Sequence, residues 1–298
     1  MTDGLVTGTE APIADPLAGA DRTELWLPLH RRLTEVSPKW LVWKNADAAL
    51  AGIGDIDAAA PDDDWPAIEE TFASWALEHD VGPVVVCRHI PGGLNLIAVP
   101  AGQATFLEMG VKQRRIWRGA TLFQLEDLLP MAELDERGFR RLRPGAEGFL
   151  KLLLNGTRRD GRPNEAALAA KGVRQQLLAD PPGVHAAAAL FGPGRRVAER
   201  AGRRAARGGW DRPAMLAVQG LALLRAASQP GILLSRLRFR IRTRHTCPLV
   251  RAILFGGRRI PADREAWLRE LAEDHAVLAR RPASRRSKSR SGRGPKQP

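Results

Sequence analysis

Apolar positions along the chain recur first with helical and then with strand spacing. From Glu24 to Val36, apolar residues surround two arginines as in an amphipathic helix, which we expect to end at Ser37-Pro38 because the residue before a proline avoids helical backbone. Residues 40–43 form an apolar run of strand length. Residues 46–50 predict a helical turn, and a glycine turn then leads into a second strand over 55–60.

A second helix and three short strands are predicted next. Asp64 is placed to cap a helix that has Pro66 in its first turn and continues to about His79. Three apolar runs follow at 83–87, 94–99 and 104–111, separated by glycine- and proline-containing turns. These runs predict an antiparallel meander, and the whole segment predicts a mixed α/β unit.

The second half of the sequence has a mainly helical pattern. Helical segments are predicted over 122–131, 148–154, 165–179, 184–191 and 214–227, with a Gly/Arg-rich break at 193–212. Five arginines alternate with Leu, Phe, Ile and Thr from Arg236 to Arg244, which on a strand would place five guanidinium groups on one face.

The predicted fold class is α+β, with a small mixed or antiparallel sheet, flanking helices, a mainly helical C-terminal region and a disordered basic tail. The predicted divisions are a mobile N-terminal segment (1–22), an α/β domain (23–130), a helical region packed on it (131–192), a basic region (193–279) and the tail (280–298).

Charge and cysteine content change this picture in two respects. The chain has 46 basic and 33 acidic residues, and its last 19 residues contain eight basic residues and no acid. A basic segment without large apolar residues is expected to be disordered and to contact polyanions, either nucleic acid or an anionic membrane surface. The two cysteines, Cys87 and Cys247, are far apart in sequence, and no apolar run is long enough to cross a membrane, so we expect a cytoplasmic protein.

Paired carboxylates are the main chemical feature of the first half. The P-loop, zinc-protease, nucleophile-elbow, CxxC and dinucleotide-binding motifs are all absent from the sequence. Asp55 and Asp57, in Gly54-Asp55-Ile56-Asp57, stand two residues apart on a predicted strand and therefore project to the same face. Both could serve one Mg²⁺ site. A strand ending at Lys44-Asn45 precedes the Asp55/Asp57 pair, and a helix and three strands follow it. A second Asp-x-Asp, Asp62 with Asp64, lacks this setting.

The glycine turn and Asp-Ile-Asp strand, in this order of elements, resemble the nucleotidyltransferase superfamily with a polymerase-β-like fold over about residues 24–130. In that superfamily the strand end before the Asp pair normally contributes Gly-Ser, which lets backbone amides approach the nucleotide phosphates. This chain has Lys44-Asn45 there, and Lys44 could supply charge instead.

The resemblance implies that Asp55 and Asp57 are Mg²⁺ ligands and that a third carboxylate lies on a later strand of the meander. Glu108 is the sole acid between Val81 and Gln124, which makes it the candidate. A lysine from a helix after the sheet is expected to reach the triphosphate, either Lys151 or Lys171.

Three catalytic carboxylates would hold two Mg²⁺ ions for nucleotidyl transfer, with Glu108 also helping as a general base. The nucleotide-binding residues would be Lys44, Asn45 and Lys171, and further phosphate contacts are expected from four basic residues, Lys112, Arg114, Arg115 and Arg118.

The expected function is Mg²⁺-dependent transfer of an NMP group from ATP or another NTP to an unidentified hydroxyl or phosphate acceptor. Two alternatives remain open. One is a catalytically degenerate nucleotidyltransferase fold that binds nucleotide or nucleic acid, which the missing Gly-Ser favours. The other is a basic nucleic-acid-binding protein in which the α/β unit is a scaffold.

Overall fold

The first elements form where the apolar pattern predicts them. The computed structural model describes residues 20–81, 84–90, 92–98, 107–243 and 276–278. The predicted mobile segment up to residue 19, Arg244 and the predicted disordered tail lie outside these residues. None of the helices in the described ranges is both long enough and apolar enough to cross a bilayer.

Helices and strands alternate in the first half, and helices predominate after residue 143. The helices are α1 (Thr23–Val36), α2 (Ala46–Leu50), α3 (Trp65–Glu78), α4 (Leu125–Leu128), α5 (Pro144–Leu154), α6 (Glu165–Ala170), α7 (Val173–Ala179), α8 (Pro181–Ala188), α9 (Arg195–Ala206), α10 (Arg212–Ala227) and α11 (Pro230–Thr243). The strands are β1 (Leu41–Lys44), β2 (Ile56–Ala59), β3 (Val84–Ile90), β4 (Gly93–Ala98), β5 (Leu107–Lys112), β6 (Arg114–Trp117), β7 (Ala120–Gln124), β8 (Ala132–Leu134), β9 (Arg140–Leu142) and β10 (Ala276–Leu278).

A mixed sheet organises the described part of the chain, with strand order β10-β3-β4-β5-β2-β1-β9-β8. The pairs β3–β4 and β4–β5 are antiparallel, as the predicted meander requires. Strands β1 and β2 are also antiparallel, whereas β2 and β5 are parallel. The fold is therefore α+β with a mixed sheet and flanking helices, as predicted.

The two faces of this sheet carry different cores. Alternate residues of β1, β2 and β5, such as Val42, Ala58 and Met109, join one apolar cluster with Trp26 of α1 and Trp75 of α3. On the opposite face, Leu41, Trp43 and Ala59 join a second cluster with the helices from α5 onward. The tryptophans Trp40, Trp43 and Trp75 are fully buried and pack in these cores.

A tight hairpin, β6–β7, replaces the start of the helix predicted over 122–131. Arg118 and Gly119 connect its strands, and both have positive φ angles, of 52° and 94°. Two adjacent residues in the left-handed region form a turn whose twist matches that of a hairpin. The prediction was wrong for residues 122–124, and the helix α4 begins only at Leu125.

The Gly/Arg-rich break predicted over 193–212 is also wrong, because α9 covers most of it. Ala198, Ala201 and Ala205 form the buried face of this helix. Gly202 belongs to the same face, where an added Cβ would lie 2.9 Å from Val184 and 3.0 Å from Phe149. Small residues here allow close helix packing, and the arginines occupy the outer positions.

Two further local predictions need correction. The alternating arginines do not form a strand, since residues up to Thr243 belong to the helix α11. A proline at its first position and leucine- and arginine-rich residues after it favour a helix. Asp64 makes no side-chain cap on α3; its carboxylate instead accepts a hydrogen bond from the Ser37 hydroxyl at 2.7 Å.

Candidate functional site

The parallel pairing of β2 with β5 places acidic residues side by side. Asp57 is paired with Gly110 and Ile56 with Met109, while Asp55 directly precedes β2 and Glu108 directly precedes Met109. Ile56 and Met109 both pack into the α1/α3 core, which leaves the alternate residues on the opposite face. Asp57 and Glu108 are both buried there. The three predicted carboxylates thus come to one face of the sheet.

Lys112, at the end of β5, lies close to these acids. It is 4% exposed, and its Nζ donates a hydrogen bond to Oδ1 of Asn95 on β4 at 3.1 Å. Burial lowers the pKa of Lys112 to about 8, while the carboxylates of Asp57, Glu108 and Asp55 oppose that lowering. One buried ammonium therefore interacts electrostatically with each of the three predicted catalytic carboxylates.

Gly110 leaves space at the centre of this group. A Cβ at this position would lie 3.2 Å from Oδ1 of Asn95, 3.8 Å from Nζ of Lys112 and 3.9 Å from Oδ1 of Asp57. The absence of a side chain lets polar groups from three neighbouring strands approach one another over the backbone of β5.

A β-bulge in β1 turns Lys44 toward the same face. Val42 is paired with Ala58, but Lys44 rather than Trp43 is paired with Asp57. The extra residue allows Trp43 to enter the second core while Lys44 still faces the acids. The Nζ of Lys44 lies 2.5 Å from Oδ2 of Asp57. Lys44 was predicted to contact nucleotide phosphates, and in this structure it forms an ion pair with Asp57.

Asn45 follows Lys44 in a left-handed conformation, with φ of 62°. Asparagine adopts this conformation more readily than most residues with a Cβ, so it can make the sharp turn into α2. Its backbone N–H donates a hydrogen bond to Oε1 of Glu147 at 2.8 Å. Asn45 was predicted to contact nucleotide, and its backbone amide is already used in fixing the end of β1 to α5.

The helix α5 contributes a buried ion pair beside this turn. Glu147 is 2% exposed and Lys151 is 4% exposed, and Nζ of Lys151 lies 2.6 Å from Oε1 of Glu147. Arg141 of β9 approaches the other carboxylate oxygen of Glu147 at 3.5 Å. Sequence analysis missed Glu147, although its (i, i+4) spacing from Lys151 is the signal that could have identified the pair.

Lys171 lies at the end of α6 and is half-buried. Burial lowers its pKa, and the neighbouring ammonium groups of Lys44 and Lys151 lower it further. The carboxylates of Asp57 and Asp55 act in the opposite direction. The structure therefore brings Lys171 into the same electrostatic environment as the predicted acids, on the helical side of the site.

Asn95 is a residue of the site that sequence analysis missed. It is 6% exposed, and its Nδ2 makes no hydrogen bond within the described residues. A single polar residue in the otherwise apolar run Leu94-Asn95-Leu96-Ile97 was the available signal. A buried amide is retained at such a position only where it has a polar neighbour, here Lys112.

The donor set was also compared with what a metal ion requires. Within the described ranges, no three or more His, Cys, Asp or Glu side chains are grouped closely enough to hold a metal by themselves. The carboxylates of the site supply oxygen donors, which suit Mg²⁺, and lysine ammonium groups lie among them.

Comparison of the chain with protein-family models, with curated proteins and with solved structures finds no match.

Proposed function

We propose that the protein is a Mg²⁺-dependent nucleotidyltransferase that transfers an NMP group from an NTP to a hydroxyl or phosphate acceptor. One observation carries the proposal. The parallel β2–β5 pairing brings Asp57 and Glu108 to one face of the sheet, where both carboxylates, and that of Asp55, interact with the buried ammonium of Lys112. This arrangement supports the resemblance of the sequence to the polymerase-β-like nucleotidyltransferases.

The residues present fit a magnesium ion that arrives with a nucleotide. Mg²⁺ usually binds through one or two protein carboxylates together with substrate phosphates and water, so a preformed cage of three protein ligands is not required. Asp57, together with Asp55 or Glu108, would hold it. When bound, the ion would lower the pKa of the acceptor hydroxyl and shield phosphate charge.

The lysines of the site suit the other half of the substrate. Lys44, Lys112 and Lys171 lie among the carboxylates, with Lys151 near Lys171, and a triphosphate carries several negative charges that such a set can offset. In the proposed reaction the acceptor oxygen forms a bond to the α-phosphorus and the bond to the β-phosphate oxygen breaks. Pyrophosphate leaves, and the acceptor proton passes to a carboxylate of the site.

The test is Mg²⁺-dependent release of pyrophosphate from each of the four NTPs, measured with the full chain. We expect Asp57→Asn to reduce release at least ~100-fold, because it removes a charged ligand needed in the transition state. Asp63→Asn is the matched control, since Asp63 is an exposed carboxylate on the short 3₁₀ turn after β2. Equal activity of Asp57→Asn and Asp63→Asn would refute the proposal.

A second readout shows whether Asp57→Asn perturbs the site as intended. The Asp57 carboxylate raises the pKa of Lys112, so its removal should bring that pKa below about 8. NMR titration of the lysine side-chain resonances measures this change. An unchanged Lys112 pKa would mean that Asp57 does not face Lys112, and the assignment of both residues to one site would be wrong.

One observation favours a second candidate function, nucleotide binding without turnover. The ammonium of Lys44 lies 2.5 Å from Oδ2 of Asp57, where it competes with a metal ion for the carboxylate. Saturable binding of NTP without pyrophosphate release, in the presence of Mg²⁺, would support this alternative. Restoration of release by Lys44→Ala would identify the ion pair as the cause.

A further inference from the structure

Three arginines lie along β6 and the turn of the β6–β7 hairpin. Arg114 and Arg115 lie on β6, and Arg118 occupies the turn between the strands. The Nε atoms of all three are buried and make no hydrogen bond within the described residues. Within the same described ranges, the ion pairs and side-chain hydrogen bonds include none from these arginines. Within the described residues, no acidic side chain therefore neutralises their charge.

The near end of this row reaches the candidate site. The charge of Arg115 lowers the pKa of Lys112, which is the buried lysine in contact with Asn95. The positive potential of β6 is thus continuous with that of the site. A ligand bound to the carboxylates and lysines would have Arg115 as its next basic neighbour.

The far end contains two guanidinium groups with like charge. Arg118 lies over the ring of Trp117, with its Cζ 5.6 Å from the ring centroid, and Trp117 packs edge-on against Phe191. Arg159 is exposed in the turn beyond the C-terminal end of α5. Burial lowers the pKa of Arg118, and the charge of Arg159 lowers it further. Like charges held near each other favour binding of an anion between them.

The length of the row indicates what kind of anion it suits. Arg115 and Arg118 are three residues apart along a strand and its turn, which corresponds to at most roughly 10 Å between their Cα atoms. With Lys112 before them and Arg159 after them, the row is longer than a single phosphate group. A polymer with regularly spaced phosphates can contact all of these positions at once.

From this arrangement we propose that Arg115, Arg118 and Arg159 form a track for the phosphodiester backbone of a single-stranded nucleic acid, whose end is the acceptor at the candidate site. The track rests on the proposed function for the role of acceptor, but binding of the strand can be measured separately. Arginine suits this role because its planar guanidinium pairs with phosphate in a bidentate manner.

An anionic membrane is the less favoured partner for the same charges. Peripheral binding to a bilayer usually combines basic residues with apolar side chains that insert between lipids. Among the described residues, none of the exposed large apolar side chains belongs to β6 or β7.

The experiment measures binding of a fluorescein-labelled twelve-nucleotide single-stranded RNA to the full chain by fluorescence anisotropy, over a series of salt concentrations. The test variant is Arg118→Ala/Arg159→Ala. The matched control is Arg196→Ala/Arg207→Ala, which removes the same charge from two exposed positions at the ends of α9. Both variants retain the basic tail, so its contribution is equal in each.

We expect the test variant to bind RNA roughly tenfold more weakly, with a salt slope smaller by about 1.4 because two phosphate contacts are lost. The control variant should stay within about twofold of the original chain. Arg159→Glu alone, at an exposed position, should weaken binding in the same direction.

Equal loss of RNA binding in both double variants would overturn the track, because charge alone would then decide affinity. Binding to vesicles of phosphatidylglycerol that depends on Arg118 and Arg159, with RNA binding unaffected, would overturn it in favour of a membrane. The two proposals fail separately. If RNA binding depends on Arg118 and Arg159 but no pyrophosphate is released, the track is supported and the proposed reaction is not. If pyrophosphate release requires Asp57 but RNA binding does not depend on Arg118 and Arg159, the track alone is refuted.

Discussion

Glu147 offers a stringent test of how the helical half supports the sheet. Its carboxylate accepts the backbone N–H of Asn45 at 2.8 Å and pairs with Nζ of Lys151 at 2.6 Å. Both members of the ion pair are at least 95% buried. We choose Glu147→Gln as the perturbation because it keeps the shape of the side chain and an oxygen that can still accept from Asn45, while it removes the charge.

The expected cost follows from what is left behind. In Glu147→Gln the ammonium of Lys151 remains buried without this carboxylate and keeps only neutral acceptors, the amide oxygen at position 147 and Oε1 of Gln176 at 3.3 Å. Removing one partner of a buried ion pair typically destabilises a protein by about 3–5 kcal/mol, whereas replacing both partners by groups of similar shape is often close to neutral. We therefore expect about 3 kcal/mol for Glu147→Gln and about 1 kcal/mol for Glu147→Gln/Lys151→Met.

Urea denaturation followed by tryptophan fluorescence measures both values, since Trp43 lies next to the connection that Glu147 holds. A loss of about 3 kcal/mol should lower the urea midpoint by about 1 M or more. The control is Glu165→Gln, which breaks the exposed pair of Glu165 with Arg174 and should cost less than about 1 kcal/mol. If the double variant is as unstable as the sum of its two single variants, the pair is not coupled and the reasoning is refuted.

Two further predictions concern the cores on either side of the sheet. His30 is fully buried and stacks on Phe139, and burial lowers its pKa to about 3. The folded state holds His30 neutral, whereas the unfolded chain protonates it below pH 6.5. The free energy of unfolding should therefore decrease as the pH is lowered from 6.5 to 3, by about 2 kcal/mol at pH 5. In His30→Leu, the free energy of unfolding measured at pH 7 and pH 5 should lack this part of the decrease. If the difference between the two pH values is the same as in the original chain, His30 is not its source. In the second core, Gly145→Ala would place a Cβ 1.8 Å from a backbone carbonyl oxygen of the neighbouring helix and should destabilise the protein by about 3 kcal/mol. Gly220→Ala, with nothing within 4 Å, should stabilise α10 by about 0.5–1 kcal/mol, and similar melting curves for the two variants would contradict this packing.

The first half of the fold could be predicted because each element carries its own local signal. The proline after Ser37 ends α1, the glycine turn precedes β2, and the glycine- and proline-containing turns separate the strands of the meander. Beyond residue 119 the signals conflict. The turn at Arg118-Gly119 depends on a backbone conformation, and α9 depends on small residues facing Phe149. Both features are decided by tertiary contacts rather than by periodicity.

The acids of the site could be predicted more easily than the groups around them. The spacing of Asp55 and Asp57 determines that they share a face, and Glu108 stands out as the one acid in a long apolar stretch. The position of Lys44 depends on a bulge, and a single inserted residue in a pairing register leaves no pattern in the sequence. Glu147 lies 102 positions after Asn45 in the sequence, and Asn95 lies 50 positions after it. Only the folded chain brings these residues to the same site.

The charges of the site link the two halves of the proposed substrate. Lys44 is paired with Asp57, and Lys112 interacts electrostatically with Asp57, Glu108 and Asp55, so each carboxylate already has a cationic neighbour. A metal ion alone would have to compete with these ammonium groups, and a triphosphate alone would meet the carboxylates. A magnesium nucleotide supplies both an anion for the lysines and a cation for the acids, so the two should bind together far better than either does separately. The mixed charge of the face is therefore an argument for a metal–nucleotide complex as the ligand, and against a simple anion site.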